Sequence, residues 1–390
     1  MPRQDKKKKL RNTVIACSFQ GGGALGAYQV GIVHALDEAG YAPDWFVGTS
    51  IGAMNAAIAA GNPPQIRVEK MHQFWDTIST PEIFHPFMAF KDPENRKIQH
   101  LLSSQYSLFM GQPGFFRPRF PPPELGWHDS ADLLSYYDTS PLRSTLEQFI
   151  DFDRINDKNT TRLSLGAVEI SSGQMEYFDS DERKIGPEHI MASGALPPGF
   201  PAVEVDGKLY WDGGISSNSP ATYVLSHRCP KDLLCFAIHL FDSYGLNPTN
   251  LDEILQRKKD IEFSSRMAKV IQLYQEIHAL KNSIHLLAQH LPKDQKLSPE
   301  MKLCISRGKD SNINLVRFLY EADRTELSSK DYEFSKTTIA ERIAHGYRDG
   351  RNAIKKSPWL EPVPQTLGVA VYDMCAKNHL NINMQEEEDE

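Results

Sequence analysis

Thr13-Val14-Ile15-Ala16-Cys17-Ser18-Phe19-Gln20-Gly21-Gly22-Gly23-Ala24-Leu25-Gly26 and, twenty residues on, Trp45-Phe46-Val47-Gly48-Thr49-Ser50-Ile51-Gly52-Ala53 decide how this 390-residue chain folds. Thr13 to Phe19 is a short apolar run with no helical period and reads as a buried strand. The glycine cluster from Gly21 breaks it. Leu25, Tyr28, Val30, Ile32, Val33 and Leu36 then recur at helical spacing, and Gly40 follows as a C-capping glycine. Trp45 to Val47 reads as a second strand, Gly48 to Gly52 as a sharp turn, and Ala53 to Ala60 as a small-residue helix ended by Gly61. Strand, helix, strand, helix predicts a parallel sheet with right-handed crossovers.

Both glycine turns suit acyl-transfer chemistry. A nucleophilic serine must project from a sharp strand-to-helix turn, and Gly48 and Gly52, two positions either side of Ser50, let strand and helix approach there. The helix start aims its free N–H groups and positive dipole end at the reacting centre. In Gly21-Gly22-Gly23-Ala24-Leu25-Gly26, glycine lets backbone N–H groups turn inward and a substrate come close. Such donors are what an oxyanion needs, and those near Gly22 and Gly23 are the expected ones. Gly21-x-Gly23-x-x-Gly26 also fits a dinucleotide fingerprint. That reading needs an acidic residue at the end of the second strand, and Asp44 lies at its start. A third motif, Asp212-Gly213-Gly214, places a carboxylate at a strand end, where it could reach a serine on a neighbouring strand. Taken alone, it reads first as a turn aspartate bonded to its own backbone.

Further along the chain, Phe84 to Tyr137 holds Phe115-Phe116, Pro118, Pro121-Pro122-Pro123 and Trp127. It reads as an inserted region poor in regular structure that either lines a lipid cleft or packs on the surface. Strand-like stretches follow at Leu163 to Ile170, Gly207 to Asp212 and Leu233 to Leu240, with a short helix at Glu188 to Ser193. Beyond Leu251 the spacing of Ile254, Ile261, Val270, Ile277, Leu280, Ile284 and Leu287 predicts one long or two shorter amphipathic helices. These could be a lid, a dimer seam or a membrane-facing helix, with packing on the first domain as the default. A strand at Ile313 to Tyr320 and a helix at Thr337 to Lys355 come last. The expected division is a basic tail (1–12), a catalytic domain (13–250, motifs within 13–224, insertion 84–137), a mainly helical extension (251–375) and an acidic tail (376–390).

The net charge of −7 gives no reason to expect nucleic acid. Five scattered cysteines without a C-x-x-C pair imply neither a disulfide framework nor zinc, and fit a reducing cytosol. Neither a His/Cys cluster nor a carboxylate-rich calcium loop is visible, so no metal and no cofactor are expected. No apolar run reaches the roughly 20 residues that a bilayer requires, and no Sec-type signal follows the basic run Lys6 to Lys9 with Arg11. Cytoplasmic residence is the expectation, with peripheral contact with anionic lipid open to that basic run and export without a signal peptide left open.

Together the three motifs resemble the patatin-like phospholipases. The resemblance covers roughly Thr13 to Val224. It includes Gly21-Gly22-Gly23, the Ser50 turn and Asp212-Gly213-Gly214. It also includes Ala192-Ser193-Gly194-Ala195-Leu196-Pro197-Pro198-Gly199-Phe200-Pro201, then Tyr210, Asn218 and Pro220. It implies an α/β fold of three layers, with a mostly parallel central sheet flanked by helices. It implies a Ser50–Asp212 dyad without histidine, Gly21 to Gly23 as oxyanion loop with Gly26, Gly48, Gly52, Gly213 and Gly214 in support, and acyl-lipid esters as substrate. Many members carry arginine where this chain has Leu25, so no role of that arginine carries over. The segment after Leu251 is similar to an extra domain of unknown function in a bacterial subgroup, and a homo-oligomer through its helices stays open. Other readings are a Ser-His-Asp carboxylesterase, an acyltransferase, an intracellular polyester depolymerase and a non-catalytic lipid-binding protein. The histidine triad is disfavoured because Ser50 follows a single earlier strand and a glycine loop able to supply the donors. The presence of both Ser50 and Asp212 speaks against the last.

Overall fold

The computed structural model describes residues 10, 12–80, 93–121, 123, 134–227, 231–264, 267–292, 297–308, 312–364 and 367–374. The basic run Lys6 to Lys9 with Arg11, the acidic tail, Pro122 and Trp127 lie outside the described residues.

The chain opens with β1 (Thr13–Phe19), α1 (Ala27–Glu38), β2 (Trp45–Thr49), α2 (Ile51–Ala60) and α3 (Arg67–Thr77). A long helix follows, α4 (Pro93–Met110), and then the two-residue strands β3 (Arg117–Pro118) and β4 (Tyr137–Asp138). Next come α5 (Ser140–Phe149), α6 (Phe152–Ile155), β5 (Arg162–Glu169), β6 (Met175–Asp179), α7 (Pro187–Ser193), β7 (Val203–Val205) and β8 (Lys208–Asp212). The remainder is α8 (Ala221–Ser226), β9 (Asp232–His239), α9 (Leu251–Phe263), α10 (Met267–Gln289), α11 (Pro299–Arg307), β10 (Ile313–Leu319), α12 (Lys336–Lys356) and β11 (Val369–Asp373).

Among the described residues, nine strands make one sheet in the order β11-β10-β9-β1-β2-β5-β8-β7, with β6 also paired to β5. From β11 through β5 all pairs are parallel, so their carboxyl ends share one side. The chain passes from β1 to β2 on one flank and later places β9 on the other. The loop after β1 therefore occupies the topological switch point, where open α/β sheets bind ligands. The run from Ile15 to Phe19 is buried throughout because both faces are covered. Cys17, Phe19, Phe46 and Phe236 pack under α1, α2 and α12, while Ala16, Val47, Leu233 and Leu315 pack under α8 and α10.

Two expectations are revised. The stretch 84–137 is less poor in regular structure than expected: α4 occupies eighteen residues of it. The density of proline and aromatic residues on its C-terminal side hid that helix. Phe115 and Phe116 are buried in a cluster with Tyr137 and Phe200, with Phe334 against Phe115, so they form core. The segment after Leu251 brings four helices, and its strands β10 and β11 continue the same sheet across β9.

Candidate active site

The pairing of β5 explains how two distant motifs meet. Ser164 to Gly166 pair with β2 on one edge and with β6 on the other. Ala167 and Val168 pair with β6 and with β8, so β8 continues the edge that β2 began. β2 runs parallel to β5 and β8 antiparallel, so they point at each other. Thr49 is level with Gly166 and Asp212 with Ala167, the very next position. The carboxyl ends of the two strands collide there, and the residues that leave the collision are Ser50 and Asp212.

Ser50 has φ 59° and ψ −130° at the N-cap of α2. This is a region that residues with a side chain rarely adopt, costing about 1–3 kcal/mol. The flanking glycines make the turn feasible. A Cβ on Gly48 would lie 2.2 Å from the Gly52 carbonyl oxygen, and one on Gly52 would lie 2.2 Å from that of Phe19. The Ser50 N–H donates to both the carbonyl oxygen and the Oγ of Ser193, each at 3.1 Å. Ser193 Oγ donates in turn to the Gly166 carbonyl at 2.6 Å. Two residues on, the Ala195 carbonyl accepts the Asp212 N–H at 3.0 Å. The short stretch Ser193 to Ala195 thus stitches the serine turn to the aspartate strand.

The Asp212 carboxylate is buried and accepts the Gly214 N–H at 2.7 Å, with the Ser50 side chain beside it. Burial pushes its pKa up to about 6, against the opposing pull of the nearby Ser50 side chain and the Gly214 N–H. Gly213 fits because a Cβ there would lie 2.6 Å from the Gly166 carbonyl.

The glycine loop lies across this pair. A Cβ on Gly21 would stand 2.8 Å from Ser50 Cβ and 2.6 Å from Asn218 Oδ1. Gly21 was expected among the oxyanion donors, but its N–H is spent on Asn218 Oδ1 at 3.1 Å, and Asn218 Nδ2 donates back to the Gly21 carbonyl at 3.0 Å. Its contribution is close approach and anchorage. Neither the Gly22 nor the Gly23 N–H has an acceptor among the described residues. Gly23 adopts φ +54°, and a Cβ there would lie 2.2 Å from the Asp331 carbonyl oxygen. The loop's flanks are fixed from beneath. Gln29 Nε2 donates to the Gln20 carbonyl at 2.7 Å, Asn55 Nδ2 donates to the Gly26 carbonyl at 2.9 Å, and Trp75 Nε1 donates to Asn55 Oδ1 at 3.0 Å. Leu25 is wholly buried beside them.

The dinucleotide reading loses its acid: Asp44 accepts the Ile15 N–H at 2.9 Å, at the amino end of the sheet. The histidines named for a triad make other contacts. His34 Nε2 lies 3.5 Å from Glu38, His72 packs edge-on to His34, and His189 Nδ1 accepts the Gly186 N–H at 3.0 Å. Ser193, Asn218 and Asp331 were not assigned roles from sequence. The first two stand within the family-like text, whereas nothing local marks Asp331.

The family model described as patatin-like phospholipase matches residues 17–225, more than half of the chain, and a second, described as patatin phospholipase, matches 261–366. The chain belongs to the patatin-like phospholipase family and is a lipid hydrolase. Among solved structures, VipD from Legionella pneumophila is similar at 14% identity and TM-score 0.37, over 88% of this chain and 67% of that one. Human GIVD cytosolic phospholipase A2 is similar at 11% identity and TM-score 0.40, over 92% of this chain and 62% of that one. ExoU of Pseudomonas aeruginosa, solved with SpcU, is similar at 14% identity and TM-score 0.26, over 76% of this chain and 68% of that one. Among curated proteins none is significantly similar in sequence. No helix among the described residues is long and apolar enough to cross a membrane.

Proposed function

We propose that the protein is a serine acyl hydrolase of phospholipase A or esterase type, working through a Ser50–Asp212 dyad. The observation that carries this reading is the tip-to-tip meeting of β2 and β8 on β5, which leaves a buried, proton-attracting carboxylate beside a serine on a strained turn. A serine hydroxyl needs a base within hydrogen-bond reach. Asp212, held near pKa 6 by burial, is deprotonated at neutral pH yet basic enough to take the proton.

In the first half-reaction Ser50 Oγ attacks the ester carbonyl carbon and its proton passes to Asp212. The oxyanion is received by the Gly22 and Gly23 N–H groups, assisted by the amino end of α2. The tetrahedral intermediate expels the alcohol, which takes the proton from Asp212 and leaves an acyl-Ser50 ester. Water then attacks that ester, giving its proton to Asp212. Ser50 leaves with that proton and the fatty acid is released.

The test pairs a chromogenic acyl ester with phospholipid vesicles. Ser50→Ala and Asp212→Asn should each lower turnover by several orders of magnitude on both substrates. An alkyl fluorophosphonate should modify Ser50 and no other residue. Covalent labelling elsewhere, or full activity in either variant, would overturn the reading. Replacing His34, His72 or His189 singly should leave turnover within a few-fold of the parent, and a loss as large as that of Ser50→Ala would replace the dyad by a triad.

A further inference from the structure

We infer that the protein forms a parallel homodimer through α10. Along this helix Val270, Leu273, Ile277, Leu280, Ile284 and Leu287 follow one another at intervals of 3, 4, 3, 4 and 3, the heptad spacing of a coiled-coil seam. The β-branched residues Val270, Ile277 and Ile284 occupy one seam position and the leucines the other, the pattern that selects two parallel strands. The helix is docked by its opposite side: Ile271, His278 and Asn282 are buried, Gln275 Nε2 donates to the Val369 carbonyl at 3.3 Å, and a His278 ring nitrogen lies 3.3 Å from the Leu225 carbonyl. Leu273, Leu280 and Leu287 remain 54%, 66% and 71% exposed, whereas Val270 leans partly on the core and Ile277 and Ile284 are half-buried.

The occupant of that row is a second copy of the same helix. In a parallel pair the residue just before one seam position faces the residue just after the other, five positions on in the partner strand. Here that rule sets Glu276 of each copy against Lys281 of its mate, giving two symmetric ion pairs of opposite charge. Since the leucine row of the seam faces away from each body, the two bodies fall on opposite sides of the coil. Short coils are marginal when the helices must first form. Here α10 is already ordered by its inner face, so most of that cost is met before the copies meet.

The orientation has a consequence that rests on the proposed function. Phe263, at the end of α9 just before α10 begins, accepts at its carbonyl from Gln20 Nε2 at 2.9 Å and Asn218 Nδ2 at 3.3 Å. The amino end of α10 therefore lies at the catalytic end of the molecule, and a parallel dimer presents two catalytic sites to the same side, where both could engage one lipid surface.

Sedimentation of the full chain at micromolar concentration should give the mass of a dimer. Leu280→Lys should halve it while leaving turnover of a soluble ester unchanged, which shows that the variant is folded. Glu276→Lys or Lys281→Glu alone should weaken association about tenfold, and the two together should restore it. With Cys229, Cys304 and Cys375 replaced by serine, Leu280→Cys should cross-link copy to copy on oxidation, because equivalent seam positions face each other only in the parallel register. A monomeric parent, a dimer indifferent to Leu280→Lys and the charge reversals, or a dimer that Leu280→Cys does not cross-link would each overturn the proposal. The mass, charge-reversal and cross-linking readouts do not depend on the catalytic assignment.

Discussion

At the residue scale the site's behaviour turns on Asp212 and Gly23. As base, Asp212 must be ionised, and its pKa stands near 6 because burial outweighs the pull of Ser50 and the Gly214 N–H. kcat/KM should therefore fall tenfold per unit as pH drops below about 6 and level off above it. The same shift makes a stability statement. The folded pKa is raised above the unfolded value of 3.8, so protonation favours the folded chain, and that contribution is lost as pH rises through about 6. Asp212→Asn should consequently raise the melting temperature near pH 8, by an amount worth at most about 3 kcal/mol, and change it little near pH 4. A variant equally stabilised at both pH values would mean that the carboxylate's charge is not what costs stability. Gly23 offers a different contrast. Its positive φ and the Asp331 carbonyl 2.2 Å from a would-be Cβ leave no room for alanine, so Gly23→Ala should displace the donor and lower kcat by about 10²–10³. Gly22 has extended backbone, and its Cβ would meet the flexible Leu240 side chain, so Gly22→Ala should cost much less. Equal losses in steady-state kinetics would show that the conformation of Gly23 is not the limiting feature.

Among the elements, positioning is done by backbone stitches that bridge motifs. Ser193 holds the Ser50 turn to β5, and Asn218 holds Gly21. Ser193→Ala should lower kcat about tenfold with KM nearly unchanged, because it loosens the nucleophile without touching the substrate. An unchanged kcat would leave the turn self-supporting. The β1, β2 and α2 boundaries were readable because apolar runs and glycine stops are local signals. The nearness of Ser50 and Asp212 was not, because it arises from β2 and β8 sharing one edge of β5, a pairing no single segment encodes. Nor was α4, since Ile98, Leu101, Leu102 and Phe109 lie exposed on it and give only a weak inward stripe beside a proline-rich neighbour. Asn218 and Ser193 stood in sequence text that matched a family without declaring a task, and backbone hydrogen bonds then gave each its place.

For the whole molecule, two family models divide the chain, whereas the packing joins the two parts. β10 pairs along the full outer edge of β9, from Leu233 to His239. α12 lies so close to α1 that a Cβ on Gly31 would stand 2.0 Å from the Ile343 carbonyl and one on Gly346 would stand 2.0 Å from that of Tyr28. Asp331 rests on the Gly21 to Gly23 loop, and Lys259 and Lys330 pin that segment to α9 and its neighbourhood through Asp331 at 2.6 Å and Asp260 at 2.7 Å. A chain ended after residue 250 would lose all of this at once. It would bare the edge of β9, an invitation to strand-on-strand aggregation, and uncover Tyr28, Phe236 and their neighbours. Each such large side chain contributes roughly 1.5–3 kcal/mol when buried, and a few of them equal the whole stability of an ordinary domain, about 5–15 kcal/mol. Residues 1–250 alone should therefore lack a cooperative thermal transition and fixed near-ultraviolet dichroism, and should be inactive even on a soluble ester. A truncated chain that melts cooperatively and retains turnover would show that the catalytic half closes its own core, and that the later strands merely lean on it.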